Sequence, residues 1–317
     1  VLENVSFIIF FLEFGKIHVM KGNRQTGLTH LHVYTLVIYR MERETVACIV
    51  ITACRSPRKD TEQQFSRFSV NEELKNKGME QSSISLRFNQ NREGNALLAN
   101  KEQNLLIGLI SSIQTGLFVN SLETGMSKDK LRQMLAEIPQ LKQESFITEM
   151  LTLLKNEGER TAYSILLPYL LSSDNEEEIE TILRKRFFGI ESFIQRAHHL
   201  HRFMKYIREK NIVSIEKEDF KRGILAWDMG ELITLARVAL ETGYIDEQTA
   251  WEYIRFAGEK CRQIFKNWEE IGKSYLIGQA MKTDKKEEID ITITSFLSAT
   301  QDAESPWKKY YLSLSTT

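Results

Sequence analysis

Four prolines and sixteen glycines in 317 residues leave few points at which a helix must break, the composition of an α-rich chain. Cysteine is as scarce: Cys48, Cys54 and Cys261 are an odd number with no C-x-x-C spacing. That excludes a full disulfide framework and fits a reducing compartment. Charge of one sign is missing too. The 42 basic and 43 acidic residues leave a net charge of −1, so no global field recruits nucleic acid or an anionic membrane. The longest early apolar run, "VSFIIFFLEF", is broken by Glu13 and is too short to span a bilayer. No basic residue precedes it, as a signal peptide requires. The expectation is a cytoplasmic protein with no membrane or nucleic-acid partner. The apolar 42% suffices for a sizeable core.

What is present changes along the chain. Residues 1–60 hold β-branched and aromatic runs, "FIIFFLEF", "LHVYTLVIY" and "TVACIVITAC", which predict strands. Their only later counterpart is a short "IDITITSFL". Residues 61–103 are polar and read as a linker of low order. The first residue is Val1, and two readings stay open: a fragment or alternative start codon read literally, or a natural start at Met41 or Met79. With a start at Met79, residues 1–78 fall outside the natural protein. Residues 104–310 carry helical periodicity and predict one all-α domain of many helices built around a helical hairpin. Ser127 is a fitting N-cap for "SKDKLRQMLAEIP", which Pro139 closes. "NEGE" marks a turn, and "NEEEIETILRKR" places acids first and bases last, as the helix dipole favours.

The hairpin has the clearest pattern. On a helical wheel of "ILAWDMGELITLARVAL" (224–240), Ile224, Leu225, Met229, Leu232, Leu235, Ala236, Ala239 and Leu240 share an apolar arc with Asp228 inside it. Arg237 falls on the opposite face and cannot serve Asp228 from within the helix; Trp227 and Glu231 border the arc. Gly243 is a C-terminal glycine and Asp246 an N-cap. On the following helix Ala250, Trp251, Ile254, Ala257, Gly258, Cys261, Ile264, Phe265 and Trp268 are expected on one face.

This stretch, "AWDMGELITLARVALETGYIDEQTAWEYIRFAGEKCRQIFKNWEEIGKSYLIGQAM", resembles the bacterial domain-of-unknown-function family 1266 (DUF1266). The family pattern is W/Y-D-x-G-R…A-R…G-Y-[IL]-x-E-x-x-A-W…F-x-S-W-x-E…Y-x-x-G-R. Trp227, Asp228, Gly230, Ala236, Arg237, Gly243, Tyr244, Ile245, Glu247, Ala250, Trp251, Phe265, Trp268, Glu270, Tyr275 and Gly278 match it. "SPW" at 305–307 resembles its closing segment. The resemblance covers 104–310 and is most specific at 226–281. It implies a helical bacterial domain. Two positions depart: Glu231 and Gln279 stand where the family tends to have arginine.

The candidate cluster is therefore Trp227, Asp228, Arg237, Tyr244, Glu247, Trp251, Trp268 and Tyr275. A buried carboxylate is costly unless partnered, so Asp228 needs helix N-termini or basic groups from a neighbouring element, or a cleft. Trp251, Trp268, Tyr275, Arg255 and Arg262 are the expected donors. A clasp fixing helix register is favoured over a pocket acid of raised pKa. His198, His199 and His201 invite a metal, but no H-E-x-x-H pattern or nearby cysteine supports one. Cys261 reads as a buried small hydrophobe. No P-loop, G-x-G-x-x-G or G-x-S-x-G element occurs where a strand meets a helix. The sequence thus favours a non-catalytic protein-interaction or regulatory domain with no cofactor and another protein as partner. The alternative is an enzyme with an acid-based pocket around Asp228, Glu231 and Glu247.

Overall fold

The computed structural model describes residues 8–13, 16–21, 35–42, 45–52, 88–136, 144–173, 175–187 and 190–312. The chain divides into two units, Val1–Glu62 with Thr181–Ile194, and Gln63–Glu180 with Gln195–Thr317. In the first, the apolar runs form strands β1 (Ile8–Glu13), β2 (Lys16–Lys21), β3 (Thr35–Glu42) and β4 (Thr45–Thr52), an antiparallel sheet in the order β2-β1-β3-β4. The strand β2 was not expected from the sequence.

From Ala99 on, the described residues are helices and their connections. They are α1 (Ala99–Leu105), α2 (Leu109–Thr115), α3 (Lys128–Ala136), α4 (Glu144–Asn156), α5 (Gly158–Leu170), α6 (Glu176–Arg186) and α7 (Glu191–Lys210). Then follow α8 (Lys217–Arg222), α9 (Leu225–Thr242), α10 (Glu247–Ile264), α11 (Trp268–Lys282) and α12 (Lys286–Gln301). The all-α reading of this part holds. One expectation fails: "IDITITSFL" lies within α12, not in a strand. Its β-branched residues alternate poorly with polar ones once Ile289, Thr292, Ile293 and Phe296 are seen to share a buried helical face. Helical structure also begins before residue 104, and Phe88 is already buried.

The caps follow the sequence. Asp246 accepts from the Thr249 N–H at 2.7 Å, Ser127 from Lys130 at 3.3 Å, and Gly243 closes α9 at φ 88°. The turn at "NEGE" separates α4 from α5. Pro139 lies outside the described residues.

Helix α9 is the centre of the second unit. It packs against α10, α11, α4, α2, α3 and α5. Within Leu225–Thr242 only Glu231, Leu240 and Glu241 escape full burial. The face opposite the apolar arc is buried as well: Arg237 is 0% exposed. On α10, Ala250, Ile254, Ala257, Gly258 and Cys261 are buried as expected, Trp251 is half-buried, and Ile264 is exposed. Phe265 and Trp268 leave that face because the helix ends at Ile264. The "SPW" segment folds back: Trp307 stacks on Trp268 with centroids 5.3 Å apart and donates its indole N–H to the Leu106 carbonyl at 2.8 Å.

Candidate functional site

Helix α9 carries three polar anchors on different faces, and each holds another segment in place. Asp228, 0% exposed, meets the turn between α4 and α5. Its Oδ1 accepts from the Glu159 N–H at 2.8 Å. Its Oδ2 accepts from the Arg160 N–H at 3.1 Å and from Arg160 Nη1 at 2.8 Å. The same guanidinium donates to the Leu154 and Lys155 carbonyls at 2.9 and 2.8 Å. A helix leaves its first N–H groups and last carbonyls unpaired, and its dipole favours an anion at the start and a cation at the end. One ion pair therefore closes two helix termini, the end of α4 and the start of α5, and ties both to α9. Gly158 makes the approach possible. It sits at φ +62°, and a Cβ there would lie 2.2 Å from Asp228 Oδ2. Burial pushes the Asp228 carboxyl up to about 7, against the pull of Arg160 and the two backbone N–H groups.

This confirms the type of partner expected for Asp228, a helix N-terminus and a basic group, but corrects its identity. The expected donors lie elsewhere. Trp251 donates to Glu247 of its own helix at 3.2 Å, Trp268 to the Tyr310 carbonyl at 2.7 Å, and the Tyr275 hydroxyl lies 3.0 Å from both Gln114 Oε1 and Glu231 Oε1. Arg255 pairs weakly with Glu259 along the surface of α10. The "NEGE" pattern marked the α4–α5 turn in the sequence, but nothing in it singled out residues 159 and 160 as donors to Asp228.

The second anchor is Arg237. Its Nε donates to the Leu122 carbonyl at 3.2 Å, Nη1 to Ser112 Oγ at 3.2 Å, and Nη2 to the Phe118 and Glu123 carbonyls, each at 2.7 Å. Burial pushes its pKa down to about 10, with Glu241 acting the other way, so it stays charged at neutral pH. Glu241, one turn later, accepts from the Thr124 backbone N–H and hydroxyl. Together they fix the segment between α2 and α3.

The third anchor is Glu231, half-buried beside Tyr275, Ser111 and Gln114. Burial raises its carboxyl above the usual range, while Tyr275, Ser111 and the Lys282 charge resist. Nearby, Trp227 donates to Gln279 Oε1 at 3.0 Å. Its ring touches the backbone of α11 at Gly278, where a Cβ would come within 2.3 Å of Trp227 Cβ. Of the two departures from the family pattern, then, Gln279 holds the indole of Trp227 and Glu231 holds Tyr275.

Of the eight candidate residues only Glu247 and Trp251 are hydrogen-bonded to each other. Trp227, Trp268 and Tyr275 are buried with their polar atoms engaged. Tyr244 is half-buried, its N–H on the Ala239 carbonyl at 2.8 Å. Sequence reasoning missed Arg160, and also Glu159, whose carboxylate takes Lys282 at 2.8 Å and Arg196 at 3.0 Å. Burial alone would raise the Glu159 pKa, but the two cations outweigh it and hold it well below the usual range.

His198 lies between two acids of α6, its Nδ1 on Glu176 and its Nε2 3.0 Å from Glu180. His199 Nδ1 faces the Met281 carbonyl at 3.2 Å. Among the described residues no three His, Cys, Asp or Glu side chains converge as metal ligands. Cys261 is fully buried, and burial raises its thiol pKa. No helix among the described residues is long and apolar enough to cross a membrane.

No curated protein and no solved structure matches the chain. Residues 140–311 match the family model described as "Protein of unknown function (DUF1266)". That match spans more than half of the 317 residues and includes the Asp228 and Arg237 anchors together with the turn that Asp228 caps. This chain belongs to the DUF1266 family.

Proposed function

We propose that the protein is a non-catalytic interaction or regulatory domain whose partner is another protein. One observation carries the reading: Asp228, the acid at the centre of the family signature, is sealed from water and already accepts three hydrogen bonds. A general acid or base must reach a substrate proton, and this one reaches the ends of two helices instead. Arg237 is spent in the same way on loop carbonyls, and Glu247 serves its own helix. The signature reads as a device for holding a rigid helical body, which suits a module that presents a surface.

The test uses the intact purified protein in two arms. In the first, proteins crosslinked to it in cells are purified and mixed with it, and calorimetry looks for a stoichiometric complex. In the second, it is incubated with a metabolite extract and the extract is profiled before and after. The reading expects a reconstituted complex and no turnover. Turnover that a folded Glu231→Gln variant abolishes would overturn it in favour of an acid-based enzyme.

A further inference from the structure

Of the three histidines on α7, His198 is held at both ends of its ring. Its Nδ1 lies on Glu176 Oε1, and its Nε2 lies 3.0 Å from Glu180 Oε2. The two glutamates stand one turn apart on α6, so one imidazole bridges successive turns of the neighbouring helix. An ionised carboxylate only accepts hydrogen bonds, a neutral imidazole has one N–H, and an imidazolium has two. The neutral ring therefore serves one glutamate and turns a lone pair toward the other. The charged ring serves both, through charge-assisted bonds. No turn of an amide or hydroxyl alters this count, because both partners are carboxylates. The surroundings decide which glutamate is released. Arg202 Nε lies 3.5 Å from Glu176, and Arg202 Nη1 lies 2.7 Å from Asp284. A fixed cation thus draws Glu176 toward α7 whatever the state of His198. Glu180 meets α7 through His198, and with 31% of its side chain exposed it can turn to water.

We propose that His198 is a proton-operated clasp between α6 and α7: charged, it holds Glu176 and Glu180 together, and neutral, it keeps Glu176 through Nδ1–H and lets Glu180 go. The proton comes from water and adds to the Nε2 lone pair, so no other group changes state. Histidine changes charge between about pH 5 and 8, and glutamates are ionised above about pH 5. The clasp is therefore closed at the acid end of that range and half open at the alkaline end. The titratable and charged groups around it are Glu176 and Glu180 from α6 and, from its own helix, Arg202 and His201, whose Nδ1 is 3.7 Å from Glu176 Oε2. Asp284, after α11, stands behind Arg202. His199 turns instead to the Met281 carbonyl and Asp284. Burial is the main reason its pKa is lowered, so charging His199 in acid costs stability, the opposite sign to the clasp. The first turns of α6 carry the exposed Glu177 and Glu178, and His198 sets how firmly that acidic face is held.

Amide hydrogen exchange of the full chain, read by mass spectrometry at about pH 5.5 and about pH 8 and corrected for the intrinsic rate, tests this. Wild type should protect α6 several-fold better at the lower pH. Folded His198→Gln should lose that difference, because its side chain does not titrate. Glu180→Gln should lose it too, since an amide can donate to the neutral ring and accept from the charged one. That position is partly exposed, so the second variant keeps the test decisive even if the first fails to fold. Equal protection of wild-type α6 at the two pH values overturns the proposal. So does a difference that survives in folded His198→Gln or in Glu180→Gln.

Discussion

The turn between α4 and α5 has an inner and an outer side, and a carboxylate is held on each. On the inner side Asp228 reaches in from α9 and takes the N–H groups of residues 159 and 160. On the outer side Glu159, which donates one of those N–H groups, extends its own carboxylate to Lys282 and Arg196. The two acids are joined by a single hydrogen bond yet titrate in opposite directions. Hydrogen-bond number does not explain it, since both are well supplied. What differs is the charge of the donors and the water left nearby. Glu159 keeps 21% of its side chain exposed and has two cations of its own. Asp228 keeps none and shares one guanidinium with two carbonyls. At Asp228 the loss of water on full burial outweighs the shared guanidinium and the two backbone N–H groups.

The harshest way to break the inner side is Gly158→Ala. It forces a Cβ into the Asp228 carboxylate at a left-handed φ, adding strain to the loss of the cap. A fall of about 3–5 kcal/mol in unfolding free energy is expected in denaturant titrations, with Asp228→Ala close behind because the N–H groups of residues 159 and 160 and the half-buried Arg160 would lose their acceptor. A loss below about 1 kcal/mol for both would mean that the turn is not held by Asp228. Arg237→Lys extends the comparison to a charge with no acid partner at hydrogen-bond distance. Three well-placed donors cannot replace the guanidinium fork that reaches three carbonyls and a hydroxyl, so a loss of about 2–3 kcal/mol is expected.

Opposite pKa shifts give opposite pH slopes. A raised acid binds its proton more tightly in the folded state. The Asp228 contribution is thus fully present below the unfolded value near 4 and is lost as pH rises to about 7. Glu159 is depressed: its contribution is present above the unfolded value near 4.5 and is lost as pH falls through its lower folded value. In thermal melts across pH, the gap between wild type and Asp228→Asn should narrow from pH 4 to 7. The gap between wild type and Glu159→Gln should narrow only below about pH 4.5. Parallel gaps would show that the two sides are not electrically distinct.

Much of the helical frame could be read in advance because its signals are local. Asp246, Ser127 and Gly243 act within a few residues of where they stand, and the apolar arc of α9 is an arc in space. The partner of Asp228 was not legible, because the residues it joins are 68 and 69 positions away and the turn that meets it uses backbone N–H groups, which every residue has. Among side chains the sequence pointed instead to Trp251, Trp268, Tyr275, Arg255 and Arg262. The partners of Arg237 were not legible for a related reason: most of its acceptors are backbone carbonyls, invisible in a sequence.

The mildest test dissects the outer side. Arg196 and Lys282 both serve Glu159, so removing Arg196 leaves a cation in place, and Arg196→Gln should cost no more than about 0.5–1 kcal/mol. The informative quantity is the coupling. If Arg196 acts through Glu159, its substitution should cost almost nothing once Glu159 is glutamine, and a double-mutant cycle should return most of the single loss as interaction energy. The same cycle between Arg196 and Asp228 should return close to zero, because Asp228 meets the far side of the turn and takes its charge from Arg160. A coupling to Asp228 as large as that to Glu159 would merge the two sides into one network and remove the reason for their opposite titration.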